Sequence, residues 1–261
     1  LNYSVFSQKN EDAILQFLLK VLNIKKPKFV EIGTQNYEIS NTRYIFETMR
    51  SEGLIIDKME NLENEVNKII KFWKNELFVE NVGVTTENIN DILKKNNFDN
   101  NLDIFSIDID GIDYWIIKSL KAKISKIFVA EYNPYFGPEL QITVPNLKNF
   151  ERTNYHYSNL CWGTSLKALI NLMKEKNYTF IGSNLLRHNA FFINKDFLDK
   201  FKIQIPNEKE LFKFTDATFK ESRDQQGELS YVRPNDVIKS IENCEVFNIQ
   251  ENKIDKIKDL I

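Results

Sequence analysis

Phe29-Val30-Glu31-Ile32-Gly33-Thr34 is a short apolar run that stops on an acid, a glycine and a hydroxyl. Asp103-Ile104-Phe105-Ser106-Ile107-Asp108-Ile109-Asp110-Gly111 repeats the pattern further along the chain. Runs of Val, Ile and Phe fit strands buried on both faces, and acids with glycine at the carboxyl end fit a ligand crevice. Two such strand ends predict a doubly wound α/β enzyme that holds a nucleoside-containing cofactor.

Helix and strand signals alternate around these runs, as βαβ units require. Residues 11–23 carry Ile14, Leu15, Phe17, Leu18, Val21 and Leu22 at helical spacing, and Pro27 ends the helix. Strand one covers 28–32. Ser40 or Asn41 caps a helix that Gly53 stops, and 54–57 is strand two. A helix over 60–73, a strand over 77–84 and a helix over 87–95 follow. Strand four (103–108), a helix (114–120) and strand five (126–131) complete the five units. Residues 132–160, with Pro134, Pro138 and Pro145, read as a lid or binding loop. A helix over 165–176 and strands over 178–183 and 190–194 close a domain spanning 1–195. Residues 196–261 read as a helical extension packed on it.

The 261 residues suffice for one large α/β domain, and 42% hydrophobic with 28% charged residues fits a soluble globular protein. A net charge of −2 provides no basic field, which argues against a nucleic-acid partner. The two cysteines, Cys161 and Cys244, show no CxxC spacing. That argues against a structural zinc and a disulfide framework, and favours a cytoplasmic location. Neither cysteine has a basic neighbour in sequence, so neither reads as a nucleophile. No apolar run is long enough for a transmembrane segment, and no signal peptide is evident. The chain opens on Leu1, so a preceding segment is expected. Nothing here argues against a homo-oligomer.

In an open parallel sheet, ligands bind at the strand carboxyl ends. Asp57, ending strand two, is placed to accept both hydroxyls of an adenosine ribose. Gly33 lets the backbone approach the cofactor. The G-x-G-x-x-G spacing is absent, since Gln35 and Glu38 stand at the later positions. That weakens a dinucleotide reading. Ser40-Asn41-Thr42 at a helix N-terminus is a place for a carboxylate. Asp108, Asp110, Asp113 and Glu131 converge at adjacent strand ends, so either a cation binds there or one acid keeps its proton. Oxygen ligands alone favour magnesium, manganese or calcium; otherwise one carboxylate is a general base for a hydroxyl. Asp113 also suits a helix start. His188, in the turn joining the last two strands, is a second candidate base. Tyr132 and Trp162 offer rings to a sugar or base.

Several of these motifs resemble a known group. Ser7-Gln8-x-x-Glu11-Asp12, Phe29-Val30-Glu31-Ile32-Gly33, Ser40-Asn41-Thr42, Asp108-Ile109-Asp110-Gly111-x-Asp113-Tyr114-Trp115 and Glu131-Tyr132-Asn133-Pro134 are similar to FkbM-like S-adenosylmethionine-dependent methyltransferases of bacterial surface-polysaccharide biosynthesis. The likeness covers about residues 4–230 and departs after Gly33, where more glycines are usual in the family. It implies a class I methyltransferase (Rossmann-like) seven-stranded sheet in the order 3-2-1-4-5-7-6, its last strand antiparallel, with helices on both faces. It implies methyl transfer from S-adenosylmethionine to a hydroxyl of a nucleotide-activated sugar or a capsule or lipopolysaccharide unit. Ser7, Glu31, Gly33, Thr34, Asn41, Asp57 and Asp108 would surround the cofactor. Asp108, Asp110, Glu131 and His188 would carry the chemistry, the first three with a magnesium or manganese ion if one binds. Asp110, Tyr132, Asn133, Trp162 and Asn189 would contact the acceptor. The competing expectations are an NAD-dependent nucleotide-sugar oxidoreductase or epimerase, and a non-catalytic scaffold of the same fold.

Overall fold

The computed structural model describes residues 3–70, 75–201 and 220–261. Its centre is a seven-stranded sheet built from β1 (Lys28–Ile32), β2 (Glu52–Asp57), β3 (Glu76–Asn81), β4 (Leu102–Ile107), β5 (Ser125–Glu131), β7 (Tyr178–Ser183) and β8 (Asn189–Asn194). The order is β3-β2-β1-β4-β5-β8-β7. β1 to β5 pair in parallel, and β8 runs antiparallel to both its neighbours. β6 (Ile142–Thr143) belongs to a second, three-stranded sheet with β9 (Glu245–Asn248) and β10 (Lys253–Lys256).

Two apolar layers cover the large sheet. α1 (Glu11–Val21), α2 (Arg43–Thr48) and α3 (Leu62–Ile69) bury Leu15, Leu18, Ile45, Phe46, Leu62 and Val66 on one face. α4 (Ile89–Lys95), α5 (Asp113–Ser119) and α7 (Leu166–Glu175) cover the other with Leu93, Ile116 and Leu169, the short α6 (Arg152–Tyr155) falling between α5 and α7 in the chain. The strands alternate between the layers: Phe29, Ile55, Ile104, Val129 and Phe191 meet α1–α3, whereas Val30, Ile56, Phe105, Phe128 and Phe192 meet α4–α7. A strand buried on both faces therefore reads as a continuous apolar run, and its parity fixes where the terminal polar residues project.

Three expectations are corrected. The order 3-2-1-4-5-7-6 becomes 3-2-1-4-5-8-7, because the short strand β6 intervenes in the chain and joins the other sheet. The C-terminal piece is not purely helical: a helix at Pro234–Ser240 is followed by the β9–β10 pair, which β6 extends. Strands of two to four residues are too short to show a period in sequence. Packing holds them, as Phe247 meets Trp115 with centroids 5.0 Å apart. The helix expected over 60–73 covers Leu62–Ile69; residues 71–74, and 202–219 of the extension, lie outside the described residues. Among the described residues, no helix is long and apolar enough to cross a membrane.

Candidate active site

Strand parity and register place the site. Ile32 pairs with Ile56 and Ile107, Asp57 with Asn81, Ile107 with Ala130, and Glu131 with Asn189. One step beyond, the Gly33 amide donates to the Ile56 carbonyl and the Asp108 amide to the Ile32 carbonyl, each at 3.0 Å. Asn81, Asp57, Gly33, Asp108, Glu131 and Asn189 thus form one row across adjacent strand ends. The row continues the parity of the α1–α3 layer. Gly33 sits at its middle with φ +84°, and a Cβ there would lie 1.6 Å from the Asp108 carbonyl oxygen. Close packing of β1 on β4 demands the glycine before any ligand does.

On the β1–β3 side, the acids are held by backbone amides. Glu31 is buried and accepts from Ser40 Oγ at 2.7 Å, the Asn41 amide at 2.8 Å, and the Thr42 amide at 2.9 Å and hydroxyl at 2.5 Å. Burial raises its pKa against these bonds. The helix N-terminus at 40–42 already holds this internal carboxylate. Asn41 Nδ2 reaches Ser106 Oγ at 3.1 Å. Asp57 accepts from the Gln35 amide at 2.7 Å and the Met59 amide at 2.8 Å, which ties the loop after β1 to the end of β2. Thr34 is buried beside this loop, its hydroxyl on the Gln35 carbonyl at 3.3 Å. Asn81 Nδ2 donates to the Asp57 carbonyl at 3.1 Å.

The β4–β5–β8 side is different. One oxygen each from Asp108, Asp110 and Glu131 lies within 4.8 Å of the others. Asp108 and Glu131 face one another closely enough for one carboxyl to donate to the other, which favours a proton shared between them. Burial first, then repulsion from Asp110 and Asp113, holds Asp108 well above the ordinary carboxylate range; burial and then Asp108 do the same to Glu131. Burial also raises Asp110, while Arg152 opposes it through an ion pair of 2.8 Å. Asp113 stands apart from this cluster. It accepts from the Ile109 and Gly111 amides at 3.0 Å each, folding the loop that leads into α5, and burial pushes it up to about 6.

The hairpin between β7 and β8 closes this side. The His188 carbonyl accepts from the Tyr132 amide at 2.7 Å, and Trp162 meets the His188 ring edge-on at 6.4 Å. Burial lowers the His188 pKa, Glu11 opposing and Arg152 adding to it. Glu11 Oε1 accepts from Asn184 Nδ2 at 2.5 Å and Asn189 Nδ2 at 3.3 Å. Asn184 Oδ1 in turn accepts the amides of His188 and Asn189. Glu131 Oε2, Asn189 Oδ1, His188 Nε2 and Trp162 Nε1 are buried with no hydrogen-bond partner among the described residues. Buried polar atoms are normally paired, so four orphans in one region point to a ligand.

Two sequence candidates serve the frame. Asn133 donates to the Leu160 and Trp162 carbonyls at 3.1 and 3.0 Å and accepts from the Tyr135 amide at 3.0 Å, holding the segment that carries Trp162. Tyr132 is buried with its hydroxyl on Ser183 at 3.1 Å. Ser7 Oγ accepts the Asp12 amide at 3.2 Å, and Asp12 Oδ2 gathers the amides of Val5, Phe6 and Ser7. The Phe6 carbonyl accepts from the Ser40 amide at 2.9 Å, so the N-terminal segment borders the cofactor side. Sequence reading missed Arg152, since nothing local marks a residue whose partner lies on another element.

No protein-family model and no curated protein sequence matches the chain. Solved structures of related shape do exist. The N-terminal domain of EvdMO1, with SAH bound, matches 72% of this chain and 80% of its own at 8% identity and a TM-score of 0.45. Magnesium protoporphyrin IX methyltransferase (ChlM) from Synechocystis PCC 6803, with bound SAM, matches 71% and 78% at 8% identity and 0.44. The pyocyanin biosynthetic protein PhzM matches 69% of this chain at 11% identity and 0.40, and this chain spans only 54% of it. Such identities carry no function across.

Proposed function

We propose that this chain is an S-adenosylmethionine-dependent O-methyltransferase acting on a sugar hydroxyl, such as that of a nucleotide-activated sugar for a capsule or lipopolysaccharide, in the cytoplasm. The observation that carries the reading is the polar row Asp57–Gly33–Asp108–Glu131–Asn189 across adjacent strand ends. Asp57 still has lone pairs for a ribose diol beside the bonds it accepts. An acid-lined crevice suits the positive sulfonium and ammonium groups of this cofactor. Gly33, Thr34 and the loop tied to Asp57 border the cofactor side, with Ser7, Glu31 and Asn41 beneath. The dinucleotide alternative is disfavoured by topology: the sheet has an antiparallel β8 beside β5, where the NAD-binding order 3-2-1-4-5-6 continues in parallel.

When bound, the cofactor supplies an electrophilic methyl group. The protein aligns the acceptor oxygen in line with it and removes the hydroxyl proton, so positioning dominates the rate. Burial keeps His188 neutral at pH 7, and its unpartnered Nε2, in the tautomer that leaves it the lone pair, takes that proton. Glu131 Oε2 and Asn189 Oδ1 bind neighbouring hydroxyls of the acceptor, and Trp162 Nε1 donates to a ring or hydroxyl oxygen. A second reading follows from the spacing of Asp108, Asp110 and Glu131. There, magnesium or manganese would replace the shared proton and orient the acceptor's oxygens.

Titration calorimetry with S-adenosylhomocysteine and with NAD tests the cofactor. Micromolar binding of the first alone is expected; binding of NAD instead, or of neither, overturns the proposal. A screen of nucleotide-linked sugars for a mass gain of one methyl group identifies the acceptor. Turnover that survives chelation removes the metal reading.

A further inference from the structure

Cys161 and Cys244, far apart in sequence, belong to one apolar cluster that includes Ile142 and Val246 of the small sheet. Tyr135, Phe136, Leu160, Val237, Ile241 and Val246 enclose them. Both thiols are free and buried, and they lie within hydrogen-bonding reach of one another. His156 also lies within hydrogen-bonding reach of Cys244. The Ser158 amide and hydroxyl lie 3.4 and 2.7 Å from His156 Nδ1, which leaves Nε2 for the sulfur. No neighbour in sequence announced this histidine to either cysteine.

We propose that Cys161 and Cys244 are a modification site, an oxidant-reactive dithiol that a hydroperoxide converts reversibly into a disulfide. Cys244 is the attacking sulfur, because it alone has the histidine and retains a 6% exposure through which a small oxidant can enter. Its hydrogen bond from Cys161 and then His156 bring its pKa down to about 6, whereas that bond and burial push Cys161 up. Attack on the hydroperoxide forms an S–O bond and breaks the O–O bond, and the leaving alkoxide or hydroxide takes a proton. Cys161 then attacks the sulfenic sulfur, an S–S bond forms, the S–O bond breaks and water leaves. Two thiols and one hydroperoxide give one disulfide, one alcohol or water, and one further water.

The new bond would act on the acceptor side. Cys161 lies between Leu160 and Trp162, whose carbonyls hold Asn133 and whose indole meets His188. Cys244 stands just before β9, with its carbonyl accepting from the Ile257 amide at 3.1 Å. A disulfide ties the Trp162 wall to the small sheet. Small rearrangements of that wall would change how Trp162 sits against His188.

The test needs no knowledge of the acceptor. The purified chain is treated with hydrogen peroxide, then alkylated with iodoacetamide in denaturant and weighed. Protection of both cysteines in the monomer, with loss of two hydrogens and reversal by dithiothreitol, is expected. In Cys161→Ser, peroxide leaves Cys244 as a sulfenic acid that dimedone labels; in Cys244→Ser, Cys161 stays unlabelled. His156→Gln slows oxidation roughly tenfold at neutral pH. Two alkylated cysteines after peroxide, disulfides only between molecules, or equal labelling of both single variants overturns the proposal. The wild-type mass result stands by itself should a serine variant fail to fold.

Discussion

The two halves of the sheet's carboxyl edge both carry acids and treat them in opposite ways. On the β1–β2 side, Glu31 and Asp57 face backbone amides and hydroxyls of neighbouring loops. There the carboxylate is structural glue, and its donors would be orphaned without it. On the β4–β5–β8 side, Asp108 and Glu131 face each other, Asp110 faces Arg152, and four polar atoms nearby lack partners among the described residues. An edge that is satisfied on one half and frustrated on the other separates scaffold from chemistry. Strain of this kind persists where function requires it.

The comparison breaks most severely at the seam. Gly33→Ala puts a methyl group into the Asp108 carbonyl and forces alanine to φ +84°. A loss of roughly 4 kcal/mol or more in unfolding free energy is expected, read by urea denaturation, since backbone cannot yield as a side chain can. If the variant were as stable as the wild type, the β1–β4 contact would not be the seam.

Substitution of one acid on each side sharpens the contrast. Glu31→Gln leaves buried donors unmet and costs about 2–3 kcal/mol of stability. Glu131→Gln removes repulsion from Asp108, so stability holds or rises, while kcat for the methylated acceptor falls roughly 10²-fold or more. His188→Gln is expected to match that kinetic loss with little change in cofactor affinity. Equal stability losses in Glu31→Gln and Glu131→Gln would erase the distinction between the halves.

The frustrated half also sets a pH dependence. Asp113 in the folded state is pushed up to about 6, and Asp108 and Glu131 are likewise raised above the unfolded value near 4. The folded state therefore binds more protons across this window. The contribution to stability is complete below about pH 4 and, for Asp113, is lost as pH rises through about 6. Urea midpoints should fall as pH rises through about 6, and Glu131→Gln should make the fall smaller. A midpoint that falls without magnesium but not with it would favour the cation over the shared proton.

The same contrast decides what was legible in the sequence. The large sheet announced itself because strands buried on both faces are continuous apolar runs, as at Phe29–Ile32. The acids at their ends were visible as interruptions. What those acids touch was not visible. Glu31 meets residues of one nearby loop, but its role as their cap emerges only when α2 is docked. Arg152 reaches Asp110 from a separate short helix, and Glu11 reaches Asn184 and Asn189 from the other end of the chain. Such pairings depend on topology, and β6 and β9 are too short to signal themselves.

The smallest effect expected lies at Asp57, where scaffold and ligand roles overlap. Its carboxylate fixes the Gln35 and Met59 amides, both in partly exposed loops where water can replace it. Asp57→Ala should therefore cost only about 1 kcal/mol in stability. Losing a charge-assisted acceptor for a ribose diol should weaken S-adenosylhomocysteine by about tenfold, read by calorimetry. Asp57→Asn keeps one acceptor oxygen and should recover part of that affinity. A stability loss with unchanged affinity would make Asp57 a loop clamp like Glu31, and the ligand-bearing part of the edge would begin at Asp108.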